Sequence, residues 1–431
     1  MKITIHRGTK EIGGSCVELS AANSRLVIDL GLPLVDANRE PFDSKKIAGK
    51  STQELKEMKV IPSVSGLFDA VHPAPDGVLL SHAHLDHAGL LPYSLPSISI
   101  YATKGTSQMM LAGSLFAKQN KLDRARHIEI FDGKPFALGA FKVTPFHVDH
   151  SIYGSVAFLI EAEGRTVLYS GDFRNHGRKP GMIRDLVNSL KDKKVDALMV
   201  EGTHFGSEKE QGMTEYELED KIFEMVQSAP ALVLAAFSAM DIDRISTLFR
   251  VAKKTDRIFV VDVYTAFVLH LIHAAVQIPY PTKANKIRVF YNHFFLRRRN
   301  MQKTYGMFHE DRIELPEILS NPDKYLMVFR TSMVDSDFNG QIPERCRCLY
   351  GYWKGYLENP DWVKLKKMIA KANGDFLPAH VSGHAYVSDI IKFVKSVNAT
   401  KVVPIHTFEP KMFQEHFPNT LEVDDGVTIE I

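Results

Sequence analysis

Side chains of the metal-binding type crowd one short stretch of this chain. Residues 78–89 read Val-Leu-Leu-Ser-His-Ala-His-Leu-Asp-His-Ala-Gly, so that His82, His84, Asp86 and His87 follow one another closely. The apolar run before them predicts a buried strand, and extended backbone there would point His82 and His84 to the same side. Asp86 and His87 come where the chain can turn into a helix. Because such groups are costly to bury unpaired, the pattern predicts two metal sites, one begun by each pair.

With this strand-ending H-x-H-x-D-H motif the chain resembles the metallo-β-lactamase superfamily. The resemblance implies an α/β fold, a four-layer αβ/βα sandwich with a dinuclear metal site along one edge. It also implies further ligands downstream. His150, in His-Ser-Ile-Tyr-Gly-Ser, would complete the first site, with His147 left open as an alternative. Asp172, in Ser-Gly-Asp-Phe, would bridge both metals, and Asp29, in an Asp-x-Gly turn, would either orient the metal loop or cap its own turn.

Three later segments narrow the resemblance to the β-CASP branch, whose members are nucleic-acid processing nucleases. Glu201 begins a Glu-x-Thr sequence that resembles motif A of this branch. Ala-His-Val-Ser-Gly-His, which ends at His384, resembles motif B, and Val-Val-Pro-Ile-His, which ends at His406, resembles motif C. His406 would then complete the second metal site.

The domain organisation follows from where these motifs lie. From about residue 206 the periodicity changes to alternating strands and helices, which resembles the inserted domain of the β-CASP branch. We therefore expect residues 1–205 to form the first part of the metallo-β-lactamase domain and residues 206–370 the insertion. Residues 371–431 would form the C-terminal part of the metallo-β-lactamase domain.

The resemblance also implies roles around a scissile phosphate. His384, with Ser382 and Gly383, would bind the phosphate, and His384 could protonate the leaving oxygen. Glu201 would orient His384. Asp86 is expected to be a catalytic residue as well as a ligand.

Two more stretches could contact nucleic acid. Ser238 lies in Phe-Ser-Ala-Met-Asp-Ile-Asp-Arg, which resembles a segment that ribonuclease J carries at a helix start. It would either bind phosphate together with helix N–H groups or simply cap the helix. Residues 291–303, Tyr-Asn-His-Phe-Phe-Leu-Arg-Arg-Arg-Asn-Met-Gln-Lys, mix aromatic and basic side chains. They predict either a path for a single strand or a solvated helix face.

Composition limits the class of protein. The 431 residues are 45% hydrophobic and 24% charged, as in soluble globular proteins, and the net charge of +2 does not by itself imply a nucleic-acid partner. The chain shows no hydrophobic signal region and no apolar run near the roughly 20 residues of a membrane span. Only Cys16, Cys346 and Cys348 carry thiols. They predict buried free cysteines and a reducing cytoplasm.

Nitrogen and oxygen ligands without thiolate fit two divalent ions, Zn²⁺ first and Mn²⁺ second. The resemblance implies a metal-dependent ribonuclease that hydrolyses phosphodiester bonds of single-stranded RNA, because a histidine in motif C goes with RNA substrates in this branch. The alternatives are a DNA nuclease of the same branch, a hydrolase of small esters or thioesters, and a non-catalytic binding subunit. The oligomeric state stays open. The predicted ligands are His82, His84, Asp86, His87, His150, Asp172 and His406.

Overall fold

The structure, a computed structural model, describes residues 1–36, 40–47, 49–207, 211–296 and 301–431. The chain divides into two compact units. The first unit comprises Met1–Ser114, Gln119–Gly212 and Gly383–Ile431, and the second unit comprises Leu115–Lys118 and Met213–Ser382. Both units combine β-sheets with α-helices, which confirms the predicted α/β class.

The first sheet of the first unit begins as an antiparallel meander and continues with parallel strands. Along β1 the apolar residues Ile3 and Ile5 are fully buried and alternate with more exposed neighbours, as expected for a strand with one face on the core. Six strands of this sheet come first in the chain: β1 (Lys2–Arg7), β2 (Cys16–Ala21), β3 (Ser24–Ile28), β4 (Gly77–Leu79), β5 (Ile100–Thr103) and β6 (His127–Ile130).

The second sheet of the first unit packs its apolar face against the first. Residues of both sheets, among them Ile3, Val17, Phe158 and Val167, form one buried cluster. Five of its strands follow in sequence: β7 (Phe136–Leu138), β8 (Phe141–His147), β9 (Val156–Ala162), β10 (Arg165–Tyr169) and β11 (Ala197–Glu201). All five residues of β11 are buried, which suits a strand covered on both faces.

A parallel sheet forms the centre of the second unit. Its strands are β12 (Val233–Ala236), β13 (Ile258–Asp262), β14 (Ile287–Phe290), β15 (Arg312–Ile313), β16 (Tyr325–Val328), β17 (Arg347–Tyr350) and β18 (Asp375–Pro378). They lie in the order β15-β14-β13-β16-β12-β17-β18. Because β18 pairs with β17, this unit runs to Ser382, beyond the predicted boundary at residue 370. That the unit is an inserted domain stays a prediction.

The helices cover the sheets, and none that the structure describes is both long and apolar enough to cross a membrane. The first helices are α1 (Thr52–Glu57), α2 (Leu85–Ala88), α3 (Lys104–Phe116) and α4 (Gly181–Ser189). The second unit contains α5 (Glu215–Gln227), α6 (Ile242–Lys254), α7 (Val263–Ile272), α8 (His293–Leu296), α9 (Gln302–Gly306), α10 (Leu315–Ser320), α11 (Met333–Ser336) and α12 (Pro360–Lys371).

The C-terminal segment returns to the first unit. It contains α13 (Val387–Val397), β19 (Lys401–Ile405) and β20 (Thr428–Glu430). β19 joins the second sheet beside β11, and β20 joins the first sheet beside β1. The first sheet therefore has the order β20-β1-β2-β3-β4-β5-β6, and the second has the order β19-β11-β10-β9-β8-β7. Helices α4 and α13 pack against the outer face of the second sheet.

Candidate metal centre

The side chains predicted to bind metal come from loops at strand ends of the first unit. β10, β11 and β19 are neighbouring parallel strands, so the residues that follow them emerge at one edge of the second sheet. The loop after β4 and helix α2 supply the motif found first in the sequence. The side chains form two groups that could hold cations, one of His82, His84 and His150 and the other of Asp86, His87, Asp172 and His406.

Three imidazoles converge in the first of these groups. The Nδ1 atom of His84 lies 3.1 Å from Nε2 of His82 and 3.1 Å from Nε2 of His150. The second nitrogen of His150, Nδ1, lies 2.6 Å from the carbonyl oxygen of Gly383, to which it can donate a hydrogen bond. This bond fixes the proton on Nδ1 and leaves the lone pair of Nε2 facing the group.

In the second group each aspartate lies close to an imidazole nitrogen. His406 Nε2 lies 3.3 Å from Asp86 Oδ2, and His87 Nε2 lies 3.1 Å from Asp172 Oδ2. The backbone of His406 has a left-handed φ of 53°, which residues other than glycine seldom adopt. Strained backbone of this kind is often found at functional sites.

Asp172 lies between the two groups. Its Oδ2 atom is 3.7 Å from His82 Nε2, 3.1 Å from His87 Nε2 and 3.8 Å from His406 Nε2. Asp172 and His87 are buried, yet neither Asp172 Oδ2 nor His87 Nε2 has a hydrogen-bond partner of good geometry among the described residues. Buried polar atoms without such partners are rare in proteins. Their arrangement fits divalent ions held by nitrogen and oxygen ligands.

Asp29 contacts a histidine of the second group on the side of the ring that faces away from the group. Its Oδ2 atom lies 2.8 Å from His87 Nδ1, and it accepts hydrogen bonds from the Tyr169 hydroxyl at 2.8 Å and the Ser81 hydroxyl at 2.7 Å. Ser81 Oγ in turn lies 3.0 Å from Nδ1 of His82. Asp29, whose backbone φ is 59°, therefore contacts His87 directly. This contact favours the interpretation in which Asp29 orients the metal loop, and that role stays a prediction.

The ionisation states suit cation binding. Burial and neighbouring imidazoles hold the pKa of His82 and of His150 well below the usual range, so both rings are neutral. Burial opposes the charge of Asp172, yet His406 and His87 hold the pKa of this carboxyl well below its usual range. Burial likewise opposes the charged form of His87, but Asp172 and Asp29 raise the pKa of His87 well above its usual range. The same carboxylates would favour a metal cation there.

Glu201, Thr203 and His384 form a third cluster beside the second group. The Thr203 hydroxyl lies 2.7 Å from Glu201 Oε2, 3.0 Å from His406 Nδ1 and 3.1 Å from His384 Nδ1. It has one hydrogen, which goes to the carboxylate, so it accepts from both imidazoles. His384 Nδ1 also lies 3.2 Å from Glu201 Oε2. Although burial opposes protonation, Glu201 and Asp172 raise the pKa of His384 to about 9.

The sequence alone does not predict a role for Thr203. The Glu-x-Thr pattern includes this threonine. However, the pattern does not show that its hydroxyl contacts two histidines that lie about 180 and 200 residues further along the chain. Asp172, Glu201, His384 and His406 also lie close enough together to share an ion. Glu201 and His384 therefore lie next to the second metal group, beside Asp172 and His406.

The two histidines considered as the third ligand of the first site, His150 and His147, lie in different surroundings. His150 joins His82 and His84, whereas His147 is 37% exposed, with its Nδ1 atom 3.7 Å from Asp132 Oδ1. Gly383 approaches His150 through its carbonyl group. A Cβ atom on Gly383 would lie 2.4 Å from Ser151 Oγ, so only glycine fits there without a shift of Ser151.

Ser238 does not cap helix α6. The cap is Asp241, whose side chain accepts a hydrogen bond from the backbone N–H of Arg244 at 3.2 Å. Ser238 lies three residues earlier and accepts from the backbone N–H of Met240 at 3.3 Å. The capping interpretation of Ser238 is therefore wrong, and its phosphate role, like that of the buried Ser382, stays a prediction. Of the basic stretch 291–303, residues 297–300 lie outside the described residues.

Two family models match parts of the chain. One, described as a beta-lactamase superfamily domain, matches residues 64–247. The other, described as a Zn-dependent metallo-hydrolase RNA specificity domain, matches residues 379–424, which include His384 and His406. The two matches together span every side chain of the metal groups.

Several named proteins are similar in sequence. Ribonuclease J of Helicobacter pylori strain ATCC 700392 / 26695 is 27% identical over 40% of this chain and 23% of its own length. An RNase J-like protein of Methanocaldococcus jannaschii is 24% identical over 63% of this chain and 59% of its own. Ribonuclease J of Mycolicibacterium smegmatis is 24% identical over 58% and 42%, respectively. The chain thus matches less than two thirds of the length of each.

A crystal structure of a protein of unknown function from Enterococcus faecalis V583 shares the fold, with a TM-score of 0.78 over 99% of both chains and 20% sequence identity. The fold, the clustered side chains and the family matches place this chain in the metallo-β-lactamase superfamily. Within the superfamily it is similar to ribonuclease J proteins, and it resembles the β-CASP branch.

Proposed function

We propose that the chain is a metal-dependent ribonuclease that hydrolyses phosphodiester bonds of single-stranded RNA at a dinuclear centre. The observation that carries the proposal is the position of Asp172, whose Oδ2 atom lies within 4 Å of imidazole nitrogens from both groups. The first ion would be held by His82, His84 and His150, and the second by Asp86, His87 and His406, with Asp172 shared between them. Zn²⁺ fits this donor set best and Mn²⁺ next.

The residues divide the chemical work. When bound, two divalent ions supply an activated water and neutralise the charge that develops on the phosphate oxygens. His384 lies beside this position and would bind the scissile phosphate and give a proton to the leaving oxygen, with Ser382 and Gly383 next to it in the chain. Glu201 contacts His384 Nδ1, which supports its predicted role as the group that orients the ring, and the Thr203 hydroxyl would share that role through its own contact with Nδ1. Asp86 would hold the second ion together with His406, whose Nε2 atom lies 3.3 Å from Asp86 Oδ2.

The choice of RNA as substrate rests on similarity. The matched RNA specificity domain covers the segment with His384 and His406, and the relatives are named ribonuclease J. A cytoplasmic location is also proposed, because all three cysteines are buried and unpaired, as in proteins of reducing compartments.

The test is a digest of RNA and DNA oligonucleotides of the same sequence, labelled at the 5′ or the 3′ end, with Mn²⁺ or Zn²⁺ present. We expect cleavage of single-stranded RNA, little cleavage of DNA, and none by Asp172→Ala protein. Preferential cleavage of DNA would favour the nuclease alternative of the same branch. Hydrolysis of chromogenic esters or thioesters without cleavage of either nucleic acid would overturn the proposal in favour of a small-molecule hydrolase.

A further inference from the structure

A buried ion pair connects the loops that carry His150 and Asp172. Asp149 directly precedes His150, and Arg174 comes two residues after Asp172. Arg174 Nε donates a hydrogen bond to Asp149 Oδ1 at 3.1 Å, and the backbone N–H of Arg174 donates to the backbone carbonyl of Asp149 at 2.7 Å. The side chains are 0% and 5% exposed, respectively. The two loops are therefore joined by side chain and backbone at the same point.

The loop after Asp172 is folded tightly around this pair. The backbone N–H of Lys179 donates to the other carboxylate oxygen of Asp149 at 2.9 Å. Gly177 lies against both partners, since a Cβ atom there would sit 2.4 Å from Asp149 Oδ2 and 2.5 Å from Arg174 Nε. Asp149 thus contacts both ends of the segment from residue 174 to residue 179, and little room is left for that segment to shift.

We propose that Asp149 and Arg174 are positioning residues that set the distance between His150, in the first metal group, and Asp172, which lies between both groups. The inference rests on the proposed metal centre but not on the choice of substrate. Both ligands stand on loops, and loops alone hold side chains less accurately than helices or strands do. A buried charge without its partner is strongly unfavourable, so the pair allows few alternative arrangements of the two loops.

The test compares Asp149→Asn and Arg174→Met protein with native protein in competition with a chromogenic Zn²⁺ chelator. Each change should weaken Zn²⁺ binding about 10- to 100-fold, the usual effect of losing an outer partner of a metal ligand. The Co²⁺-substituted variants should also show an altered visible absorption spectrum, which reports the ligand geometry directly. Arg174→Lys keeps the cation and should recover part of the affinity lost in Arg174→Met.

Arg126→Met provides the matched control. Arg126 is a buried arginine of the same unit, and it donates from Nε to the Ile98 carbonyl at 2.9 Å and from Nη2 to Ser94 Oγ at 2.8 Å. Its removal should lower the unfolding temperature of the metal-free protein and leave Zn²⁺ affinity and the Co²⁺ spectrum unchanged.

Unchanged Zn²⁺ affinity in both Asp149→Asn and Arg174→Met, with native affinity intact, would overturn the inference while leaving the proposed centre in place. An equal loss of affinity in Arg126→Met would also overturn it, since the effect would then be general destabilisation. Native protein that binds no Zn²⁺ would instead remove the proposed centre itself.

Discussion

One oxygen atom of Asp172 lies near imidazole nitrogens of both metal groups. Asp172→Ala removes the ligand that the two ions would share, so we expect the metal content to fall from two ions per chain to one or none. RNA cleavage should be lost with it, while the circular dichroism spectrum should stay close to native. Elemental analysis of protein purified without chelator measures the first effect.

Asp185→Ala serves as the control, because Asp185 is exposed on α4. It should retain full metal content and cleavage. Two ions per chain in Asp172→Ala would contradict the bridging role.

His384 and His406 are separable by metal content. His406 Nε2 faces Asp86 at 3.3 Å, so His406→Ala should lose metal first and activity as a consequence. His384→Ala should keep both ions yet lose about 10²–10⁴ in cleavage rate, the usual contribution of a positioned acid. Both variants should be measured for bound metal and for kcat on a labelled RNA oligonucleotide.

The third cluster makes this comparison informative. Glu201, His384, His406 and Asp172 lie close enough to share an ion. If His384→Ala loses a metal, His384 is a ligand and the proton must come from elsewhere. If cleavage is unaffected, the resemblance of its segment to motif B does not reflect a catalytic role.

At the scale of elements, a buried ion pair joins helices α5 and α6 in the second unit. Arg244 donates from Nε to Glu215 Oε1 at 3.0 Å and from Nη2 to Oε2 at 3.2 Å, and both side chains are almost fully buried. Arg244→Met would leave Glu215 buried without this partner. We expect it to lower the free energy of unfolding by about 3–5 kcal/mol, measured by urea denaturation.

Arg250 on the same helix offers the comparison. It pairs with Glu219 at 3.0 Å but is 56% exposed. Because solvent screens such pairs, Arg250→Met should cost about 0–1 kcal/mol. Equal losses in the two variants would show that burial is not what gives the Arg244 pair its effect.

For the whole molecule, metal removal should weaken the folded state. A bound ion stabilises the native protein by about 2.7 kcal/mol when its free concentration is 100 times the Kd. Treatment with EDTA should therefore lower the unfolding temperature in differential scanning calorimetry, and added Zn²⁺ should restore it. An unfolding temperature that does not respond to EDTA or Zn²⁺ would be inconsistent with a metal centre in the first unit.

The residue pattern predicted which side chains would cluster in the candidate site more fully than it predicted the contacts that position their loops. His82, Asp172 and His406 follow apolar strands, and the ends of strands can be recognised from residue pattern alone. The link between Asp149 and Arg174 and the reach of Thr203 depend on loop conformations that no local pattern encodes. Likewise, the second unit extends to Ser382 because β18 pairs with β17, a choice of neighbour that the short segment does not reveal.

The long separation between Asp86 and His406, 320 residues along the chain, also has a consequence for biosynthesis. Ribosomes add about 5–20 residues per second, so roughly 16–64 s pass between the synthesis of these two side chains. During that time β11 has no β19 beside it, and the second metal group lacks one of its members. Under the proposed function, a nascent chain that has folded much of its sheet structure would still lack a complete centre for cleaving the messenger that encodes it.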